Sequence, residues 1–176
     1  VNQMDINIKK ETTCCFSGPR PHKLPLLTDE AWCRRLRSRL TDLLLPRILD
    51  ERCDTFLCGM AQGADMLFAS HVLEIDAVLA RPVRLVCVLP HAAQTKGWPK
   101  QALQKYDAIL ARAHKVITLQ QRYTDGCYLA RNRFMVDHAS CLVALSDGKS
   151  AGGTGYTVEY ARKQNLSLSL LDPNSI

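Results

Sequence analysis

The 176-residue sequence lacks the features that would place it in several large functional classes. No apolar run approaches the roughly 20 residues that a membrane-crossing helix needs, so no membrane partner is expected. The first residues carry no charged-then-apolar leader, and no signal peptide is expected. There is no repeat, low-complexity tract or linker, which points to one domain long enough to bury a full core. Aromatic residues make up only 6% of the chain, and few are placed for stacking on bases, which counts against nucleic acid as a partner. None of the eight cysteines falls in a C-x-x-C pair, so no metal site is expected. Cys14, Cys15, Cys58, Cys87 and Cys141 lie in apolar, β-rich runs, where cysteine serves as a small buried hydrophobe. Free core thiols suit a reducing compartment, and a cytoplasmic location follows as the expectation.

What is present is ordinary in bulk and uneven in charge. Apolar residues make up 47% and charged residues 23%, with 23 Lys and Arg against 17 Asp and Glu, a net charge of +6. That balance favours anionic partners without choosing among them. Much of it sits in "CRRLRSRL". There Trp32, Leu36, Leu40, Leu43 and Leu44 repeat at helical spacing, while Arg34, Arg35, Arg37 and Arg39 fall mostly off that stripe. These arginines read first as a solvated helix face and second as a phosphate-binding patch.

Short apolar runs alternate with stretches of helical length. "TTCCFSG", "TFLCG", "VRLVCVLP", "KVITL", "CLVAL" and "LSLSLL" read as strands. Their continuous apolarity is that of strands buried on both faces of a parallel sheet. Helices are predicted over about 28–45, 63–79, 99–113, 128–139 and 155–164, the first capped by Thr28 and interrupted at Pro46. The fold class that follows is α/β: a single doubly wound, mostly parallel sheet with helices on both faces. Residues 1–11 read as an N-terminal extension and 12–176 as the single domain.

In such sheets ligands bind beyond the carboxyl ends of the strands, near helix N-termini, so each strand end is a place to look for chemistry. After the first strand, Gly18 and two prolines make a stiff turn that would project Arg20, whose planar fork suits phosphate. After the second, Gly59 and Gly63 flank a tight connection into a helix starting near Ala64 and Asp65, where backbone amides could hold an anion. Asp65 would favour the helix dipole or accept from a ligand hydroxyl. Pro90 ends the third strand, ahead of a loop carrying His91, Gln94, Lys96 and Trp98. Arg131 and Asn132, ahead of the fifth strand, could point along the sheet edge to a shared pocket. The strongest signal is "SDGKSAGGTGYTVEYA" after the fifth strand. Asp147 and Gly148 lead into Gly152, Gly153, Thr154 and Gly155, a glycine-rich helix start whose amides could wrap a phosphate. Glu159 follows within about a turn, as a dipole partner, a ribose acceptor or an acid/base group.

Together "SGPRP", "GMAQGAD", "VCVLP", "Y-x-x-RNRFMVD", "ALSDG" and "GGTGYTVEYA" resemble the YpsA-like branch of the SLOG superfamily, over roughly residues 12–171. That superfamily includes the Lonely Guy phosphoribohydrolases and DprA. The resemblance implies a Rossmann-like domain with a pocket for a nucleotide or nucleotide-derived ligand. Its enzymes carry P-G-G-x-G-T-x-x-E, which Gly152, Gly153, Gly155 and Glu159 match, while Arg131 matches their catalytic arginine. Ala151 stands in place of the Pro and Tyr156 in place of the Thr, which weighs against hydrolysis. Three readings follow in order: a sensor or regulator binding a nucleotide or an ADP-ribose-like molecule, a phosphoribohydrolase using Glu159 and Arg131, and a single-stranded DNA binder. The expected partner is a nucleotide-like small molecule, held as ligand with no further cofactor. A homodimer is compatible with the resemblance.

Overall fold

The computed structural model describes residues 7–149 and 151–176. Residues 1–6 of the expected extension and Ser150 of the glycine-rich stretch lie outside the described residues. Strands β1 (Thr13–Ser17), β2 (Thr55–Cys58), β3 (Arg84–Leu89), β4 (Lys115–Thr118), β5 (Cys141–Leu145) and β6 (Ser167–Leu171) alternate with five helices. These are α1 (Glu30–Leu49), α2 (Ala64–Val78), α3 (Lys100–Arg112), α4 (Cys127–Asp137) and α5 (Gly153–Lys163). The strand order is β4-β3-β2-β1-β5-β6. Every neighbouring pair is parallel, so the sheet is wholly rather than mostly so.

Successive side chains of a strand point to opposite faces, and here they divide two cores. Cys14 and Phe16 of β1, with Phe56, Cys58, Leu85, Cys87, Val143 and Leu145, pack under Trp32, Leu36, Leu40 and Leu44 of α1, Phe68 and Val72 of α2, and Tyr106 and Ile109 of α3. Cys15, Leu57, Val86, Val88, Leu142 and Ala144 pack under Met135 and Val136 of α4 and Val158 and Ala161 of α5. Helices α1–α3 therefore cover one face and α4–α5 the other. The eight cysteines are free thiols, and all but Cys33 are buried. No described helix is long and apolar enough to cross a membrane.

Two helix boundaries differ from the sequence expectation. Helix α1 is capped by Asp29, whose carboxylate accepts from the Trp32 amide at 2.9 Å, while Thr28 ends a preceding 3-10 turn. The helix also runs through Pro46 to Leu49. Proline removes one backbone hydrogen bond there, but Leu44, Arg47 and Ile48 are buried on either side of it and hold the turn in the core. Helix α5 begins at Gly153, two residues before the expected start. The glycine cluster thus supplies the cap and first turn of the helix.

The topology sets where a ligand can sit. All carboxyl strand ends share one edge of a parallel sheet. The chain leaves β1 for the α1 face and leaves β5 for the α5 face, so the adjacent ends of β1 and β5 form the crevice at which the winding reverses.

On the α1 face, His71 is buried between helices. Its Nε2 lies 2.8 Å from the Thr41 hydroxyl and its Nδ1 lies 3.2 Å from Glu74. Burial holds the ring below its ordinary value of 6.5, with Glu74 pulling the other way. The folded chain therefore resists a proton that the unfolded chain accepts, and stability is lost as pH falls from 6.5 through the lower folded value. Urea denaturation is expected to show stability declining from about pH 7 to pH 5, with a shallower decline in His71→Gln.

Candidate functional site

Between the β1 and β5 ends lies a cavity of about 740 Å³, a size suited to a small ligand. Its walls include Gly18, Arg20 and Lys23 from the β1 loop, Asp65 from α2, Tyr128, Arg131 and Asn132 from α4, Ser146 and Asp147 after β5, and Gly153, Thr154 and Gly155 of α5.

Arg131 is 4% exposed. Its Nη1 donates to the carbonyl of Gly59 and, at 3.5 Å, to that of Val88, and its Nε donates to the Asn132 amide oxygen at 2.7 Å. The guanidinium is thereby seated on the ends of β2 and β3. Gly59 is required for this seat, because a Cβ there would fall 1.8 Å from Nη1. Nη2 has no protein partner among the described residues, and no buried side-chain polar atom among them is left unsatisfied. That nitrogen is the part of the fork open to the cavity. Burial lowers the arginine's proton affinity and the Asp65 carboxylate raises it, but a guanidinium remains a cation at neutral pH.

Asp65, also 4% exposed, accepts from the Ala61 amide at 3.1 Å. Burial raises its carboxyl above the ordinary value, while Arg131 and the amides of Ala61 and Gly18 act in the opposite direction. The carboxylate thereby ties the β2 turn to the β1 loop. Gly18 permits the contact from the other side, since a Cβ there would lie 2.5 Å from that of Ala64.

Asn132 donates from Nδ2 to the Thr157 hydroxyl at 2.8 Å, and that hydroxyl donates to the Gly153 carbonyl at 2.8 Å. A continuous line of hydrogen bonds thus runs from Arg131 through α4 to the first turn of α5. That turn starts from Gly152, whose φ of +106° suits glycine, and no side chain caps it. The first intrahelical bond is from the Tyr156 amide to the Gly152 carbonyl. The amides of Gly153, Thr154 and Gly155 have no acceptor among the described residues. They add to the positive end of the helix dipole. A Cβ on Gly153 would meet nothing within 4 Å, and Lys23 Nζ comes within 3.1 Å of where one on Gly152 would be. At the mouth, the Arg20 guanidinium lies over the Tyr128 ring at 5.0 Å. Tyr128 and the 59%-exposed Tyr123 both set edges against His91. A buried cation, two exposed ones, amides without acceptors and an aromatic ring therefore border the same cavity.

The YpsA family model, described as the YspA SLOG family, matches residues 14–175. The chain belongs to that family. Similar curated proteins are a UPF0398 protein of Lysinibacillus sphaericus, 22% identical over 91% of both chains, and one of Bacillus thuringiensis, 27% identical over 84% of this chain and 81% of that one. Among solved structures, DNA processing protein A of Helicobacter pylori matches with a TM-score of 0.54 and 17% identity, over 94% of this chain and 67% of that one. The work on that protein concerns how it binds single-stranded DNA.

The SLOG domain gathers only some of the residues singled out in the sequence. Gly18, Arg20, Asp65, Arg131, Asn132, Asp147, Gly153, Thr154 and Gly155 line the cavity. Gly59 lies behind Arg131, Ala64 is packed under Gly18, and Gly152 and Gly148 shape the α5 approach with positive φ. Gly63 instead borders a separate groove among α1, α2 and α3. Pro90 is buried at the end of β3 and does not reach the cavity lining. Gln94 is not available as expected, since it is buried with its amide donating to the Met60 carbonyl and the Tyr106 hydroxyl. Trp98 packs edge-on against Tyr106. Glu159 is absent from the lining and is ion-paired with Arg162 on the exposed side of α5. Lys23 and Tyr128 were not singled out. The Lys in "SGPRPHK" and the Tyr in "Y-x-x-RNRFMVD" were their only signals.

Gly59→Ala is expected to displace Arg131 and lower unfolding free energy by about 1–3 kcal/mol, the usual consequence of overpacking. Gly153→Ala, which enters open space at a helix start, should be neutral or stabilising within about 1 kcal/mol. Urea denaturation of both variants separates a glycine needed for packing from one needed for access.

Proposed function

We propose that this SLOG domain binds a nucleotide or nucleotide-derived ligand, a nucleoside phosphate or an ADP-ribose-like molecule, in the crevice between the β1 and β5 ends, and that binding serves sensing or regulation. One observation carries the reading: the open nitrogen of buried Arg131 and the uncapped amides of the α5 first turn border the same cavity. A helix N-terminus and a guanidinium fork are each suited to phosphate oxygens. Lys23 would neutralise charge from the solvent side, and the Arg20–Tyr128 pair offers a surface to a base or ribose at the mouth. Backbone donors are insensitive to the rest of the ligand, so phosphate supplies affinity and the rim supplies selectivity.

Single-stranded DNA is a second reading, favoured by the DNA processing protein A likeness, by the net charge of +6 and by the exposed Tyr123 ring. The same phosphate-binding positions would then hold a backbone phosphate, and affinity would fall steeply with salt. Base release by hydrolysis draws less support, because Glu159 would have to leave Arg162 and reach a cavity that it does not line.

Thermal denaturation against a panel of AMP, ADP, ADP-ribose and oligo-dT tests the proposal. A nucleotide at about 100 times its Kd adds roughly 2.7 kcal/mol and raises the midpoint by several degrees. Lys23→Glu and Gly153→Asp, which place negative charge at the phosphate position, should abolish the rise. A rise only with oligo-dT favours the DNA reading, and no rise with any nucleotide contradicts the proposal.

A further inference from the structure

We infer that a second, smaller pocket beside the crevice holds the ring of the same ligand, and that the amide oxygen of Gln94 selects a ring carrying an amino group. The subsite depends on the reading above, since the crevice must hold the phosphate for the ring to be placed. The pocket has a volume of about 140 Å³, the liquid volume of about five water molecules, which is room for one planar ring system. Arg20 and Tyr128 line both spaces, so the two adjoin at that stacked pair. Gln62, Gln94 and Trp98 line the smaller pocket and not the crevice. Trp98 is half-buried and held edge-on by Tyr106 at 5.5 Å. With Tyr128 it gives the pocket aromatic surface for a ring.

Gln94 decides which ring. It is 6% exposed, and only the nitrogen end of its amide is taken up by the chain. That nitrogen donates to the Met60 carbonyl at 3.3 Å and to the Tyr106 hydroxyl at 3.0 Å. A carbonyl can only accept, so the pairing fixes which end of the amide is the nitrogen and turns the oxygen away from Met60. The oxygen has no donor among the described residues, yet none of their buried side-chain polar atoms lacks a partner. The oxygen therefore still reaches open space, and the pocket is the space that Gln94 lines. A ligand filling the pocket must bring a donor to that oxygen or leave it unpaired, a loss of roughly tenfold or more in affinity. Arg20 lines the pocket and no carboxylate among the described residues does, so the donor that fits is a neutral amino group and not an ammonium. Adenine and cytosine carry an amino group where guanine, hypoxanthine and uracil carry an oxygen.

The test is isothermal titration of the full chain with two matched pairs, AMP against IMP and ADP-ribose against its hypoxanthine analogue, with ribose 5-phosphate as the ringless control. The amino member of each pair is expected to bind at least about tenfold tighter. Gln94→Met, which keeps the bulk and removes the acceptor, should bring each pair within about twofold and leave ribose 5-phosphate binding unchanged. A merely structural role for Gln94 would weaken both members of a pair alike, as Lys23→Glu should by acting on the phosphate. The side-chain amide signal of wild-type Gln94 reads the same contact without a variant, and it should shift with AMP and not with IMP. Equal affinity within the wild-type pairs, selectivity kept by Gln94→Met, or a Gln94 signal unmoved by AMP would each overturn the subsite. If ribose 5-phosphate still binds in those cases, the phosphate reading of the crevice stands, whereas no binding of any of the five compounds overturns both.

Discussion

The guanidinium of Arg131, buried against the carbonyl ends of β2 and β3, is the contact around which the carboxyl edge of this sheet is arranged. A charge that deep is tolerated only where its donors find acceptors. The Gly59 and Val88 carbonyls and the Asn132 amide supply them, and Asp65 supplies the nearby opposite charge. Each of these constrains something else. Gly59 must lack a side chain, Asp65 must hold the β1 loop, and Asn132 must reach Thr157, which fixes the first turn of α5. Backbone ends, two loops and two helices are thereby locked to one cation whose remaining nitrogen opens on the cavity.

Much of the architecture was legible from the sequence because strands buried on both faces cannot alternate, and "CLVAL" or "VRLVCVL" between helical stretches leaves few alternatives. What misled was local. Pro46 signals a helix end, yet the buried residues around it outweigh one missing hydrogen bond. The glycine cluster reads as a helix start near residue 155, and α5 begins two residues earlier, so Gly153 and Gly155 lie within the helix, where absent side chains leave the amides open. The site was legible as a set of strand ends, since the sheet is parallel and those ends share an edge. Which residues converge there was not, because convergence depends on winding: the β1 and β5 ends meet, while Pro90 and Gly63 belong to other surroundings. Glu159 shows the same limit, since its position nearly two turns into α5 does not determine which side of the helix it occupies.

The two faces of the molecule carry different chemistry. The crevice combines backbone amides with arginine and lysine and suits a compact anion. The α1–α3 face buries Met66, Leu73 and Ile109 in the core and leaves Lys105 and Arg112 exposed at its surface. They lie on opposite sides of the Gly63 turn, which caps α2 beside the groove, two residues before Asp65 enters the crevice.

The central claim is that phosphate is gripped by the open amides of the α5 first turn together with Arg131. Amide and guanidinium NMR signals recorded during titration with ADP-ribose test it most directly. The account predicts saturable, concerted shifts of the Gly153, Thr154 and Gly155 amides and of the Arg131 Nε–H. Binding that leaves those signals unmoved, or moves only residues of the α1–α3 face, would contradict it.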